Sequence, residues 1–290
     1  MFKIGTLADW FHVGLLDGIR ASESCGASGV QIYAGGELDP RTVTAQQLAQ
    51  VKSTVRACHQ SVTALCGELG GHGFEIKADN AEKLDYIKKT IDLALSLDCN
   101  IVTTHIGRVP QDETSERWHA MREACREAGA YAALHGAVIA VETGPEPVKQ
   151  LMHFLSECPG VCVNYDPANL VMVTKDDEVE GVYTAGSAIV HTHAKDGRCN
   201  FYAGPETVYG IFAEGGIEAL NTVSTYFTET PLGQGNVHWN AYLKALADVG
   251  YHGYLTIERE VNKNVAADIR LAVQLIPHWF SMCQSAYQKI

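Results

Sequence analysis

A chain of 290 residues that is 46% hydrophobic and 19% charged carries enough apolar side chains for a large core, which excludes a disordered or collagen-like polymer. Its 22 lysines and arginines face 34 acidic residues, a net charge of −12, so partners held through phosphates, nucleic acid or an anionic membrane surface, are disfavoured by the protein's own field. The nine cysteines are scattered without a C-x-x-C pair, which fits neither a disulfide framework nor a zinc knuckle; with no leader-like start and no apolar run near about 18 residues, the expectation is a cytoplasmic protein with no membrane partner.

In chain order, short β-branched apolar runs end near Leu7, Tyr33, Cys66, His105, Glu142, Asp166, His193 and Glu258, and each reads as a strand. Helical spacing fills most of the gaps, at residues 44–59, 79–99, 114–135, 147–157, 239–249 and 264–287, the last interrupted by Pro277. Within 79–99, Leu84, Ile87, Ile91 and Leu95 share one face, and Asp79 with Glu82 reads as a capping arrangement. The strands are continuous apolar runs, as in residues 137–141, which marks a parallel sheet covered on both faces. Eight such units without a linker predict an α/β fold, a single-domain (β/α)8 TIM barrel over residues 1–290, with a doubly wound sheet as the alternative. The longest interval, between His193 and Glu258, holds a loop insertion at residues 197–237 with Phe201, Tyr202, Tyr209, Phe212, Tyr226 and Phe227. A long loop at a barrel mouth reads as a lid or an oligomer contact.

Four successive strands finish on groups that buried strands rarely carry: Glu142, Asp166, His193 and Glu258. In a barrel these ends converge on one mouth. A single strand-end acid can cap a helix or pair with a local cation; a set of four points to a shared ion. Three carboxylates and an imidazole suit Mn²⁺, Co²⁺ or Mg²⁺, and Zn²⁺ also accepts such a set.

These segments resemble the metal site of the xylose isomerase-like barrel superfamily, in the branch of sugar isomerases and epimerases that includes the ketose 3-epimerases. The resemblance runs from Lys3, Ile4 and Gly5 to Glu260, and is most specific at His193-Ala194-Lys195-Asp196, at the turn from Pro231 to Gly235 ahead of Trp239, and at Glu258. It implies one divalent ion, Mn²⁺ in first place, held by Glu142, Asp166, His193 and Glu258, with Glu142 and Glu258 doubling as the acid/base pair on opposite faces of a sugar. The chain departs from that pattern at Asn169, where many ketose 3-epimerases have histidine, and at Gln234, where many relatives have glutamate. Arg198 is the candidate for the expected substrate-binding arginine.

Proton removal beside a ketone needs a Lewis acid to hold the enediolate charge. Epimerisation needs a second acid on the opposite face, whereas aldose–ketose isomerisation can use one. The ligand carboxylates outweigh a divalent charge, which favours a neutral sugar or glycoside over a phosphate ester. Further substrate contacts are expected from His105, Glu68, Asn169, Lys195, Asp196, Arg198 and Trp10, with Asp196 also able to orient His193 or a neighbour; His191 reads as a core residue. The expectation is a metal-dependent sugar isomerase or epimerase that forms a homo-oligomer, a dimer or tetramer. The alternatives are a metal-dependent lyase acting on oxidised (3-keto) glycosides, an apurinic-site endonuclease, which the charge disfavours, and a non-catalytic sugar-binding barrel.

Overall fold

The protein is described by a computed structural model covering residues 2–261 and 263–287. The strands in chain order are β1 (Lys3–Leu7), β2 (Gly29–Tyr33), β3 (Ser61–Cys66), β4 (Ile101–Thr104), β5 (Val138–Glu142), β6 (Val161–Tyr165), β7 (Ile189–Ala194), β8 (Asp196–Cys199), β9 (Phe227–Thr230) and β10 (Tyr254–Ile257). The helices are α1 (Leu15–Ser24), α2 (Ala45–Ala57), α3 (Asn80–Ser96), α4 (Glu116–Leu134), α5 (Val148–Leu155), α6 (Pro167–Asn169), α7 (Glu178–Ala185), α8 (Pro205–Gly215), α9 (Leu220–Val223), α10 (Trp239–Asp248) and α11 (Val265–Tyr287).

Eight parallel strands close into a barrel in the ring order β1-β10-β7-β6-β5-β4-β3-β2. This is the (β/α)8 fold that the continuous apolar runs require: Val102, Ile139, Val163 and Leu255 are all buried between the strands and the helices outside them. Ile87 and Ile91 of α3, Met121 and Ala128 of α4, Leu151 and Phe154 of α5 and Leu243 and Leu246 of α10 supply the facing apolar stripes. At α2 the expected start is a capping box, with Gln47 N–H donating to Thr44 Oγ1 and Thr44 N–H to Gln47 Oε1.

Three expectations are corrected. Asp79 makes no side-chain cap, because a 3₁₀ turn over Lys77–Asp79 runs directly into α3 and leaves Asp79 with helical backbone angles. Pro277 does not interrupt α11, which continues through it. Proline removes one hydrogen bond, to the carbonyl four residues back, at about 3 kcal/mol, while Ile269, Ala272, Ile276 and Phe280 stay buried along one face on both sides of it. The insertion is structured rather than a bare loop: β8 and β9 pair antiparallel, from Asp196 opposite Thr230 to Cys199 opposite Phe227, and α8 and α9 lie between them. Among the described residues no helix is long and apolar enough to cross a membrane.

Candidate metal centre

Glu142 ends β5, His193 lies near the end of β7, and Asp166 and Glu258 directly follow β6 and β10. These four strands are neighbours in the ring, so residues far apart in the chain meet at one rim. All four side chains are buried, and each places a ligand atom within 4.8 Å of the others'. His193 Nδ1 lies 3.2 Å from Glu258 Oε2, 3.5 Å from Glu142 Oε2 and 3.6 Å from Asp166 Oδ2.

Local structure aims each group. Asp166 caps the turn of α6, its Oδ1 accepting the Ala168 and Asn169 N–H groups at 2.7 and 3.0 Å, and Pro167 is preset for the first helical position. Its other oxygen, Oδ2, therefore faces the centre. Glu142 is held at both oxygens, by the Asn169 amide at Oε1 (2.9 Å) and the Asn164 amide at Oε2 (3.0 Å). Lys195 Nζ donates to Glu258 Oε2 at 3.0 Å and to Glu260 Oε1 at 3.1 Å.

Asp166 Oδ2 and His193 Nδ1 are buried and have no hydrogen-bond partner. Orphaned buried polar atoms of this kind are uncommon, and here both face the same point as two further carboxylates. The donor set and the orphaned atoms fit a divalent cation with oxygen and imidazole ligands.

The charges are strongly linked. Burial raises the Asp166 carboxyl above its ordinary range. Burial works the same way on Glu258, but His193 and Lys195 outweigh it and hold the carboxyl down to about 2. Glu142 is likewise pulled well below its usual range against its burial, by His105 and His193. Burial disfavours a charge on His193, but Glu258 and Glu142 overcome it and push the imidazole well above its normal value. A cation held here would take over the role of that proton, and metal affinity at sites of this kind rises with pH.

Beneath the centre is a layer of neutral polar groups. His193 Nε2 lies 3.1 Å from Gln31 Oε1, and Gln31 Nε2 donates to Thr103 Oγ1 at 3.0 Å. His191 has its pKa lowered to about 3, by burial and then by His193, so it is a neutral ring bonded to Asn164 Oδ1 at 2.8 Å and to Thr256 at 3.1 Å. That places it in the core beneath the ligands.

The remaining candidates divide. His105 Nδ1 and Glu68 Oε2 are 2.9 Å apart, and His105 Nε2 is 3.5 Å from Glu142 Oε1; both side chains are 35% exposed, so the pair stands at the open side of the centre. Asn169 touches the Glu142 carboxylate and Lys195 that of Glu258. Trp10 is buried with its Nε1 unpartnered, its ring edge-on to Tyr33. Arg198 is exposed on β8 and bonds the Gln234 carbonyl at 2.7 Å. Asp196 does not reach His193. Its two oxygens accept the N–H groups of Gly197, Gly233, Gly235 and Val237 and the Trp239 indole, so it ties down the turn that closes the insertion. Gly235 has to be glycine there, since a Cβ would lie 2.0 Å from Asp196 Oδ1.

Gln31, Asn164 and Tyr209 went unremarked in the sequence as parts of the site. The first two are single polar residues inside apolar strands, the same signal that marked the ligands. Tyr209 comes from α8, and its hydroxyl packs so closely over Gly144 that a Cβ there would sit 2.2 Å from it.

Barrel, buried quartet and polar floor together describe a fold that gathers, at the ends of its strands, a rim of groups that could hold a cation. A model of the xylose isomerase-like TIM barrel family matches residues 19–277, and the chain belongs to that family. Similar solved structures include a xylose isomerase domain protein from Planctomyces limnophilus, with a TM-score of 0.77, 24% identity and 98% of each chain covered. A D-tagatose 3-epimerase-like protein aligns with a TM-score of 0.76 at 15% identity, over 99% of this chain and 100% of that one. A 3-keto-D-glucoside 4-epimerase from E. coli aligns with a TM-score of 0.70 at 15% identity, over 96% of this chain and 100% of that one. At these identities the likeness is one of fold. Among curated proteins no match to the chain was found.

Proposed function

We propose that the protein is a divalent-metal-dependent isomerase or epimerase of an unphosphorylated sugar or sugar derivative, with Glu142, Asp166, His193 and Glu258 as the metal ligands. The observation that carries this reading is the convergence of the orphaned His193 Nδ1 and Asp166 Oδ2 with two further carboxylates in one buried cluster. Bound there, a cation such as Mn²⁺ would supply Lewis-acid polarisation of a carbonyl and its neighbouring hydroxyl. Glu142 and Glu258 come from strands on either side of β6 and β7, which supports their acting from opposed sides of a sugar. One carboxylate removes the proton beside the ketone and the other returns it, giving the epimer; return by the same carboxylate to the adjacent carbon gives the isomer.

Asn164 and Asn169 fix both oxygens of Glu142, so the base is aligned before substrate arrives. His105 and Glu68 are positioned to hydrogen-bond hydroxyls of the sugar. Two cations of the barrel mouth already have acidic partners: Lys195 has Glu258 and Glu260, and Arg108 has Glu206 on α8. That supports a neutral substrate. The packing of Tyr209 over Gly144 supports a lid role for the insertion, whose exposed Phe201 and Tyr202 suit a contact between copies in a homo-oligomer.

The 3-keto-D-glucoside 4-epimerase among the structural neighbours brings oxidised glycosides in as a substrate class, and a lyase acting on them would use the same first proton transfer. Incubation in D₂O with ketoses and 3-keto-glycosides separates the readings. Deuterium incorporation without loss of the aglycone is expected; release of the aglycone assigns a lyase. Glu258→Gln is expected to abolish exchange in a folded protein, and retained exchange would remove Glu258 from the mechanism.

A further inference from the structure

We propose that Gln31 is a positioning residue that decides which nitrogen of His193 faces the metal centre, an inference that rests on the metal-centre reading above. An imidazole can present either ring nitrogen to a cation, and the hydrogen bond made by the other nitrogen settles the choice. His193 Nδ1 points into the carboxylate cluster, and Nε2 points across the barrel interior at Gln31 on β2.

An amide can turn either its oxygen or its nitrogen to a ring, so the polarity of this contact has to be set from further away. It is set by a main-chain group that can only accept. The Leu65 carbonyl on β3 accepts from Thr103 Oγ1 at 3.5 Å, so Thr103 offers a lone pair to Gln31 Nε2 at 3.0 Å. The Gln31 oxygen is thereby turned to His193, 3.1 Å from Nε2. Nε2 must carry the proton, and Nδ1 keeps its lone pair for the ion. The nearby Asn164 amide does not compete: it gives its shorter bond to Glu142 at 3.0 Å and lies 3.4 Å from Nε2.

The backbone shows that this floor is built. The barrel ladder slips register between Val30 and Gln31 against β3, and again between Val163 and Asn164 against β7. Such irregularities re-aim side chains and recur next to functional sites. Here both fall at the amides beneath the ligands. Gln31 is itself fully buried, where a polar side chain is retained only with its hydrogen bonds made.

The test is calorimetric titration of the metal-free protein with Mn²⁺ for the wild type, Gln31→Met and Gln31→Glu, each checked for folding by circular dichroism. Gln31→Met keeps the length and loses the acceptor, and is expected to bind Mn²⁺ about 10- to 100-fold more weakly. Gln31→Glu keeps an acceptor and is expected to restore binding to the wild-type range or better. Equal affinities for wild type and Gln31→Met overturn the proposal while the metal centre stands. Absence of Mn²⁺ binding by the wild type overturns the metal-centre reading and this inference together. Nitrogen NMR of ¹⁵N-histidine in the Zn²⁺-loaded wild type decides the matter without a variant: a metal-bound Nδ1 with a protonated Nε2 is expected, and a metal-bound Nε2 overturns it.

Discussion

Glu146 lies four residues beyond Glu142, buried, with its Oε2 accepting the Val109 N–H at 2.9 Å. Burial pushes its carboxyl up to about 8 from an ordinary 4.5, against smaller opposing pulls from the Val109 N–H and Arg108. The folded state therefore holds this proton more tightly than the unfolded chain does. Its contribution to stability is fully present below about pH 4.5 and is lost as the pH rises through about 8. Glu146→Gln keeps an acceptor for Val109 and removes the titration. We expect it to be more stable than the wild type above pH 8 by on the order of a few kcal/mol, with the difference shrinking toward pH 5 in urea unfolding series. A constant difference across that range would exclude Glu146 as its source. At this scale the convergence of Glu142, Asp166, His193 and Glu258 is legible in the sequence because a charge at the end of an apolar run is conspicuous. Gln31 and Asn164 interrupt their strands just as plainly, but a neutral amide announces no chemistry until its partner across the barrel is known. The role of Asp196 is hidden for a related reason: four of its five donors come from a turn and an indole some forty residues further along the chain.

Helices α2, α3, α4, α5, α10 and α11 show apolar stripes, and the strands end within a residue or so of where the apolar runs stop. Helices α1, α7 and α8 do not stand out in the sequence. In α8 only Val208 is buried, which leaves almost no stripe to read, and its position depends on contacts with the rim rather than on its own sequence. The pairing of β8 with β9 was equally hidden, because it closes across the whole insertion. Asp196 is the joint of that element, and Asp196→Ala would leave five N–H donors without their acceptor. We expect a loss of roughly 3 kcal/mol or more in urea unfolding, together with faster amide hydrogen exchange over residues 231–237. Unchanged exchange there would show that the turn holds itself without the carboxylate.

For the whole molecule, the proposed ligands come from the ends of β5, β6, β7 and β10, so a cation held by them would join four strands of the closed ring. Unfolding the barrel must then release the ion. On the proposed reading, Mn²⁺ at about 100 times its Kd adds about 2.7 kcal/mol to stability, which for a chain of this size raises Tm by about 4–5 °C. A chelator should reverse the shift, and Glu258→Gln should show a smaller one. A Tm indifferent to Mn²⁺ and to chelator in the wild type would count against the site.

The ring order also divides labour. The proposed cation holders occupy one unbroken semicircle, β5-β6-β7-β10, while Trp10, Glu68 and His105 sit at the ends of strands in the other, β4-β3-β2-β1. In chain order the second semicircle is the amino-terminal half of the protein. Evolution or an engineer could therefore exchange that half for a cousin's and alter molecular taste while the reactive apparatus is inherited intact. On the proposed reading the transplant would have to preserve Gln31, which reaches across the seam to the imidazole, together with Thr103, which orients its amide.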